Sequence, residues 1–184
     1  MSEWDRKREI MRLYDVTARL YEIRYAEEQK QKIEAALKEM KIANHSSILD
    51  VGCGTGILFN YVVDKAKSIV GLDTSRKILR EAKKKAKNLK NVHLVLADAD
   101  NMPFRENLFD YVFGVTVLQN MPEPAKTLME IRRVAEGKAK IIVTGMKKAF
   151  TPEQFQQLLS NANLESVAVK AENLKCYVAV CVKL

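Results

Sequence analysis

The residues with the clearest chemical potential are three glycines and an aspartate near residue 50. An apolar run at 48–51, interrupted by Asp50, predicts a strand buried on both faces of a parallel sheet. Gly52, Gly54 and Gly56 follow, and glycine allows a tight turn and leaves no Cβ where a ligand approaches the backbone. A helical stripe then begins near Leu58. A strand, a glycine loop and a helix N-terminus together predict a site for a small ligand.

Two details of this loop indicate which ligand it holds. A dinucleotide fingerprint needs a third glycine where this chain has Ile57. Asp50 stands just before the loop, where a carboxylate repels a pyrophosphate but attracts an ammonium or sulfonium group. Asp73 ends a second apolar run roughly 20 residues past the loop, where an acid can accept both hydroxyls of a ribose. The pattern favours a cationic nucleoside.

At this point the chain resembles the class I S-adenosylmethionine (SAM)-dependent methyltransferases, in particular the small ubiquinone/menaquinone-biosynthesis type, also called type 11. The matching sequence motifs occur in the same order and at the same spacing as in the family. They are Ile-Leu-Asp-Val-Gly-Cys-Gly-Thr-Gly at 48–56, Val-Gly-Leu-Asp at 70–73, Ala-Asp-Ala at 97–99 followed by Met-Pro-Phe, and Phe-Asp-Tyr-Val at 109–112.

The resemblance implies a Rossmann-like α/β sandwich of three layers. Its mostly parallel sheet has seven strands, with an antiparallel C-terminal hairpin and an N-terminal helical lid. The implied cofactor is SAM, with Asp98 accepting a hydrogen bond from the adenine amino group and Ala99 donating its backbone N–H to the ring. The full set of expected cofactor-binding residues is Tyr21, Tyr25, Asp50, Gly52, Cys53, Gly54, Gly56, Asp73, Thr74, Asp98, Ala99 and Val115.

The N-terminal segment 1–41 is expected to be helical and to form the lid, while 42–184 forms the core of a single domain. Tyr14, Ala18, Tyr21 and Tyr25 recur at steps of three and four, so they share one face if the helix is continuous. Family members carry a similar aromatic segment that folds over the cofactor. The alternative is an aromatic stripe packed as ordinary core.

The fourth strand, predicted at 110–117, should deliver Val115 to the cofactor, and chemistry is expected just after it. Methyl transfer is an in-line displacement, so the protein's main task is to align nucleophile and methyl carbon. Asn120 is the candidate catalytic residue. Asn120-Met121-Pro122 faintly resembles the motif with which amino-methylating nucleic-acid enzymes grip an amine, although Glu123 replaces the stacking aromatic. Asn120 could instead only shape the pocket.

Further elements follow from capping and turn residues. Ser75 and Thr151 are expected to cap helices, Gly137 to end the helix that begins at Pro124, and 138–144 to form a fifth strand. Asp100 is expected to face solvent. Segments 166–169 and 175–182 alternate as a closing hairpin, and no acceptor-binding insertion separates it from the fifth strand. The acceptor surface is therefore expected to be minimal or open.

Composition narrows the class of protein. No apolar stretch approaches the roughly 18 residues that a membrane span requires, and the charged N-terminus leads into no apolar signal core, so a cytoplasmic protein is expected. The three cysteines include no C-x-x-C pair, and neither histidine has the neighbouring acidic or cysteine residues that a metal site needs. Cys176 and Cys181 are expected on opposite faces of one strand. No disulfide, metal site or membrane contact is predicted.

Three readings of the acceptor remain open. The net charge of +8 and the absence of an acceptor cap favour an RNA base, with an exocyclic amine preferred. The nearest resemblance, together with Leu118, Met121 and Met146, favours a small apolar or quinone-like molecule. The third reading is a noncatalytic SAM-binding subunit that supports another enzyme, and an activating partner protein is also conceivable. The basic charge could equally reflect solvated lysine-rich helices.

Overall fold

The structure is a computed structural model that describes residues 2–18 and 20–184, apart from the side chains of residues 21 and 22. The helices are α1 (Glu3–Thr17), α2 (Tyr21–Lys38), α3 (Phe59–Val62), α4 (Arg76–Lys85), α5 (Pro124–Val134) and α6 (Pro152–Asn161). The strands are β1 (Ser46–Val51), β2 (Ala66–Asp73), β3 (Val92–Leu96), β4 (Phe109–Gly114), β5 (Ala135–Met146), β6 (Leu164–Lys170) and β7 (Cys176–Lys183). Short 3-10 turns cover Ala86–Asn88 and Leu118–Asn120.

These strands form one seven-stranded sheet in the order β3-β2-β1-β4-β5-β7-β6. The first five strands in this order are parallel, whereas β7 runs antiparallel to both β5 and β6. The predicted α/β sheet with its antiparallel C-terminal hairpin is therefore confirmed. Because the order reverses beside β1, the carboxyl ends of β1 and β4 open a crevice of the kind in which such sheets bind ligands.

The core lies in two layers, one on each face of the sheet. Ile48 packs with Phe59 and Ile33 of α2 on one face, whereas Leu49 packs with residues of α5 and α6 on the other. Successive strand residues point to opposite faces, so a strand covered on both sides must be apolar throughout. Cys176 and Cys181 likewise lie in opposite layers, as predicted.

Side chains cap the N-termini of α1, α4 and α6. The Ser75 hydroxyl accepts a bond from the N–H of Ile78, and Thr151 forms a capping box with Gln154, so both predicted caps are confirmed. Gly137 does not end α5, which stops at Val134, and this glycine lies within β5. The prediction failed because the chain passes directly from helix to strand without a glycine cap.

Candidate active site

The glycine loop has the backbone conformation that its composition predicts. Gly52, Gly54 and Gly56 have φ angles of 66°, 55° and 76°, a region that favours glycine. A Cβ at Gly52 would lie 2.7 Å from Val117 Cγ2, and one at Gly56 would collide with the Phe59 ring. The following helix α3 is a single turn, shorter than the stripe from Leu58 predicts. The loop therefore leaves backbone, rather than side chains, facing the crevice.

Two aspartates end the adjacent strands β1 and β2. Asp50 is only 4% exposed, and burial, reinforced by the charge of Asp73, raises its pKa well above the usual range. Asp73 accepts the N–H of Gly54 at 3.0 Å and that of Ser75 at 2.9 Å. Burial also raises the pKa of Asp73, and these N–H donors offset part of the effect. A cation placed beside Asp50 would compensate a charge that the free protein leaves buried.

Two adjoining hollows lie at the carboxyl ends of these strands. The larger, which we call the cleft, has a volume of about 710 Å³ and is lined by Lys7, Ile10, Tyr14, Gly52, Gly54, Leu72, Asp73, Thr74, Ile78, Asp98, Ala99, Val115, Thr116, Val117, Asn120 and Met121. The smaller, which we call the side pocket, has a volume of about 370 Å³ and is lined by Gln29, Ile33, Asp50, Gly52, Cys53, Gly54, Thr55, Ile57, Leu58 and Val115. They share Gly52, Gly54 and Val115, so one elongated molecule can occupy both.

The end of β3 carries an acidic pair rather than one buried and one solvated acid. The Asp98 carboxylate contacts the ammonium of Lys7 at 2.7 Å and accepts the N–H of Asp100 at 3.1 Å. Asp100 is only 2% exposed, and it contacts Lys7 at 2.5 Å and accepts the hydroxyl of Thr127 at 2.5 Å. The expectation that Asp100 faces solvent is wrong, because helix α1 supplies a cation for it.

The end of β4 is held in an unusual conformation. The strand stops at Gly114 rather than at Val117, because Thr116 has a φ of 66°, which is rare for a β-branched residue. Its N–H donates to the Thr144 hydroxyl at 2.7 Å. Its own hydroxyl donates to Gln29 at 2.9 Å and accepts from the ammonium of Lys32 at 3.0 Å. Side chains of α2 therefore hold this turn in place.

Asn120 lies in the cleft and makes two contacts with its amide group. It donates to the Tyr14 hydroxyl at 2.9 Å and to the carbonyl oxygen of Thr116 at 3.0 Å. Burial raises the pKa of Tyr14, and the bond from Asn120 offsets part of that effect. Since both amide hydrogens are committed, the amide oxygen is the atom of Asn120 that can accept a hydrogen bond from a substrate.

Helix α1 lies across the opening of the cleft. Lys7 reaches the end of β3, Tyr14 reaches Asn120 beyond β4, and Asp15 accepts the Ser75 hydroxyl at 2.5 Å beyond β2. A single continuous helical face through Tyr25 is not present, because α1 ends at Thr17 and α2 begins at Tyr21. The break lets α1 turn back over the strand ends.

The structure brings most of the predicted site residues together. Those that line the two hollows are Asp50, Gly52, Cys53, Gly54, Asp73, Thr74, Asp98, Ala99, Val115 and Asn120. Gly56 shapes the loop without lining either hollow, Tyr25 is 42% exposed outside them, and the side chain of Tyr21 lies outside the described residues. Leu118 is fully buried in the core and not at the cleft, whereas Met121 does line it.

Sequence reasoning did not select Lys7, Ile10 or Gln29, and it treated Tyr14 as part of the lid without assigning it to the site. No motif marks Lys7 or Gln29, since each is one polar residue among many in a charged helix. Their burial, at 8% and 6% exposure, is visible only in three dimensions.

Across the described residues, no group of three or more histidine, cysteine, aspartate or glutamate side chains is placed to hold a metal ion.

None of the helices in the described part of the chain is both long and apolar enough to cross a membrane.

Comparison with known families decides what kind of site this is. Residues 49–143, more than half of the chain, match the family described as the methyltransferase domain. The chain belongs to this family. The resemblance to SAM-dependent methyltransferases is therefore confirmed, and with it the assignments of the enzyme class and of SAM as the cofactor.

One relative of this methyltransferase is named demethylmenaquinone methyltransferase and comes from Staphylococcus saprophyticus. It is 35% identical over 137 residues, which are 73% of this chain and 59% of that protein. The chain thus spans a little over half the length of this curated relative.

Solved structures share the fold of this methyltransferase at lower identity. A 1,6-didemethyltoxoflavin-N1-methyltransferase from Burkholderia thailandensis, with bound 1,6-didemethyltoxoflavin and S-adenosylhomocysteine, has a TM-score of 0.83 at 13% identity, covering 100% of this chain and 91% of that chain. A SAM-dependent methyltransferase from Aquifex aeolicus has a TM-score of 0.74 at 21% identity, covering 83% of this chain and 89% of that chain. Both support the sheet and its flanking helices.

Proposed function

We propose that this methyltransferase transfers the methyl group of SAM to a small apolar aromatic acceptor of the quinone class, in its reduced form. In the transfer, a bond forms between the acceptor nucleophile and the methyl carbon while the carbon–sulfur bond breaks and its electron pair goes to sulfur. The methylated acceptor then loses one proton to solvent water, and S-adenosylhomocysteine is the other product. A reduced quinone suits this step because its hydroxyl oxygens push electrons onto the ring carbons, whereas an oxidised quinone is electron-poor.

In this proposal the donor spans the two hollows. Asp50 in the side pocket faces the α-ammonium group, Asp73 accepts the ribose hydroxyls, and Asp98 accepts the adenine amino group. The donor's path is lined by Gly52, Cys53 and Gly54, with Thr74, Ala99 and Val115 along the cleft. Tyr21 and Tyr25 remain proposed donor-side residues of the lid. The site uses alignment rather than strong acid–base groups, since holding the reactants in line supplies much of the rate.

The observation that carries the choice of acceptor is the position of α1 across the opening of the cleft. Its contacts with three strand ends narrow that opening, so the space beside Asn120, Val117 and Met121 suits a compact apolar molecule better than a base attached to a nucleic-acid chain. The name of the staphylococcal relative points the same way. Asn120 is proposed to orient the acceptor hydroxyl through its amide oxygen. RNA, first favoured on charge, becomes the second candidate.

The deciding experiment offers three acceptors to the purified chain with isotope-labelled SAM: chemically reduced demethylmenaquinone in detergent, the same compound oxidised, and total cellular RNA. We expect label in the reduced quinone only. Asp73→Asn serves as the control that should lose transfer through weaker donor binding, with its fold checked by circular dichroism. Labelling of RNA but not of the quinone would overturn the proposal, and donor binding without transfer to any acceptor would favour a noncatalytic subunit.

A further inference from the structure

Lys7 of α1 is the cationic side chain among the described residues that line the cleft, and its position is unusual for a lysine. It is 8% exposed, although lysine is seldom buried without a partner. Its ammonium contacts Asp98 at 2.7 Å and Asp100 at 2.5 Å. Burial by itself lowers the pKa of Lys7, but the bonds to Asp100 and Asp98 outweigh it, so the pKa is raised. The side chain therefore stays charged.

The two carboxylates depend on this cation. Both touch the same ammonium, so they lie close to each other, and two nearby carboxylates repel each other. Asp100 has a hydroxyl partner in Thr127, whereas the side-chain partner of Asp98 is Lys7. Removing the ammonium would leave the repulsion uncompensated and Asp98 without its side-chain partner. The Asp98 carboxylate would then turn away from Asp100 and lose its fixed orientation toward the cleft.

The geometry also leaves Asp98 able to bind a ligand. One of its oxygens accepts the N–H of Asp100 and the other accepts from Lys7, and each carboxylate oxygen has room for a second donor. Asp98, Ala99 and Lys7 line the same cleft. An amino group entering beside Ala99 can thus share Asp98 with the lysine rather than displace it.

We propose that Lys7 is a positioning residue of the donor site, which holds the Asp98 carboxylate in the orientation that accepts the exocyclic amino group of the nucleoside base. The inference rests on the donor half of the proposed function. It makes the N-terminal helix part of base recognition, because α1 supplies the counter-ion and the counter-ion orients the acid. The site then prefers a 6-amino purine over a 6-oxo purine.

The test measures binding of S-adenosylhomocysteine and S-inosylhomocysteine by calorimetry. Lys7→Met keeps the length of the side chain and removes its charge. We expect affinity for the adenosyl compound to fall at least tenfold and affinity for the inosyl compound to change far less, so that the preference between them collapses. Lys7→Arg, which keeps the charge, should recover at least part of the preference.

Arg8→Met is the matched control, because it removes the same charge from the next residue. Arg8 pairs with Asp5 at 3.0 Å outside the cleft and is 59% exposed. We expect both affinities to stay within about twofold. If Lys7→Met melts below the assay temperature, Lys7→Gln replaces it with the same expected loss of preference.

The outcomes separate this inference from the function on which it depends. If the wild-type protein binds S-adenosylhomocysteine and S-inosylhomocysteine equally well, the assignment of Asp98 to the donor site is contradicted. If Lys7→Met keeps the wild-type preference for the adenosyl compound, the assignment of Asp98 stands. Lys7 then only holds α1 against the sheet, which overturns the proposal. Tighter binding in Lys7→Met would show that the lysine competes with the base, which also overturns the proposal.

Discussion

At the scale of single residues, Asp50 is a buried acid with no cation beside it among the described residues. The structure buries its carboxyl near the end of β1, and both burial and the charge of Asp73 raise its pKa. A buried charge without a counter-ion is costly, and the α-ammonium group of the donor is the proposed counter-ion. Under this proposal, donor binding relieves a cost that the free protein carries.

The first prediction concerns Asp50→Asn at neutral pH. A carboxyl whose pKa is raised on folding binds its proton more tightly in the folded state. Its contribution to stability is then complete below the unfolded value near 3.8 and is lost as the pH rises through the folded value. Asparagine does not titrate, so the variant does not lose stability in this way as the pH rises. At pH 7 we expect the variant to have a higher melting temperature than wild type, by about 2 to 4 °C for each kcal/mol of stability gained. Near pH 4 we expect the two proteins to have similar melting temperatures.

The same substitution should weaken the donor site. Calorimetry with S-adenosylhomocysteine should show at least tenfold lower affinity for Asp50→Asn, because the amide has no charge to offer the ammonium group. Thermal melts across pH 4 to 8 measure the stability half of the prediction. A variant less stable than wild type at pH 7 would show that the carboxylate is compensated within the free protein.

At the scale of elements, the sequence predicted the sheet well and the N-terminal helices poorly. Apolar runs located β1 and β2, because strands covered on both faces must be apolar. Glycine and acid positions at their ends then placed most of the donor-side residues in one cleft. These signals are local, so the sequence alone carries them.

The parts that sequence could not predict depend on contacts between distant elements. Val115-Thr116-Val117 has a β-branched composition that predicts a continuing strand. Thr116 is instead stabilised in a left-handed turn, because it donates hydrogen bonds to Gln29 and Thr144 and accepts one from Lys32. Asp100 and Lys7 are separated by about half of the chain, and no spacing rule links them. Only the docking of α1 and α2 on the strand ends makes these polar residues part of the site.

Strand β5 packs closely against α6. This packing gives a prediction that has its control in the same strand. A Cβ at Gly145 would lie 2.5 Å from Cδ2 of Phe155, whereas one at Gly137 meets nothing within 4 Å. We expect Gly145→Ala to cost about 1 to 3 kcal/mol because it overpacks the core. Gly137→Ala should stay within about 0.5 kcal/mol of wild type. Urea unfolding measures both, and equal stabilities would contradict the packing argument.

At the scale of the whole molecule, charge and shape indicate different partners. The chain carries 31 lysine and arginine residues against 23 acidic ones, an excess that attracts polyanions whether or not they are substrates. Much of this charge lies on exposed faces such as that of α4, where the last turn holds Lys83, Lys84 and Lys85. Helix α1 lies across the opening of the cleft. Under the proposed function, RNA is held at the surface and its bases do not reach the methyl group.

This separation gives the last prediction. If the basic charge acts only at the surface, RNA affinity should fall steeply between about 50 and 200 mM salt, since each phosphate contact releases counter-ions, while methyl transfer to the reduced quinone should change little. Filter binding of a single-stranded RNA and the quinone assay, run across the same salt series, measure the two. Saturating RNA should leave the quinone rate within about twofold, because the bound strand lies outside the cleft. Strong, competitive inhibition by RNA at moderate salt would place the nucleic acid at the mouth of the cleft and return RNA to the position of leading acceptor.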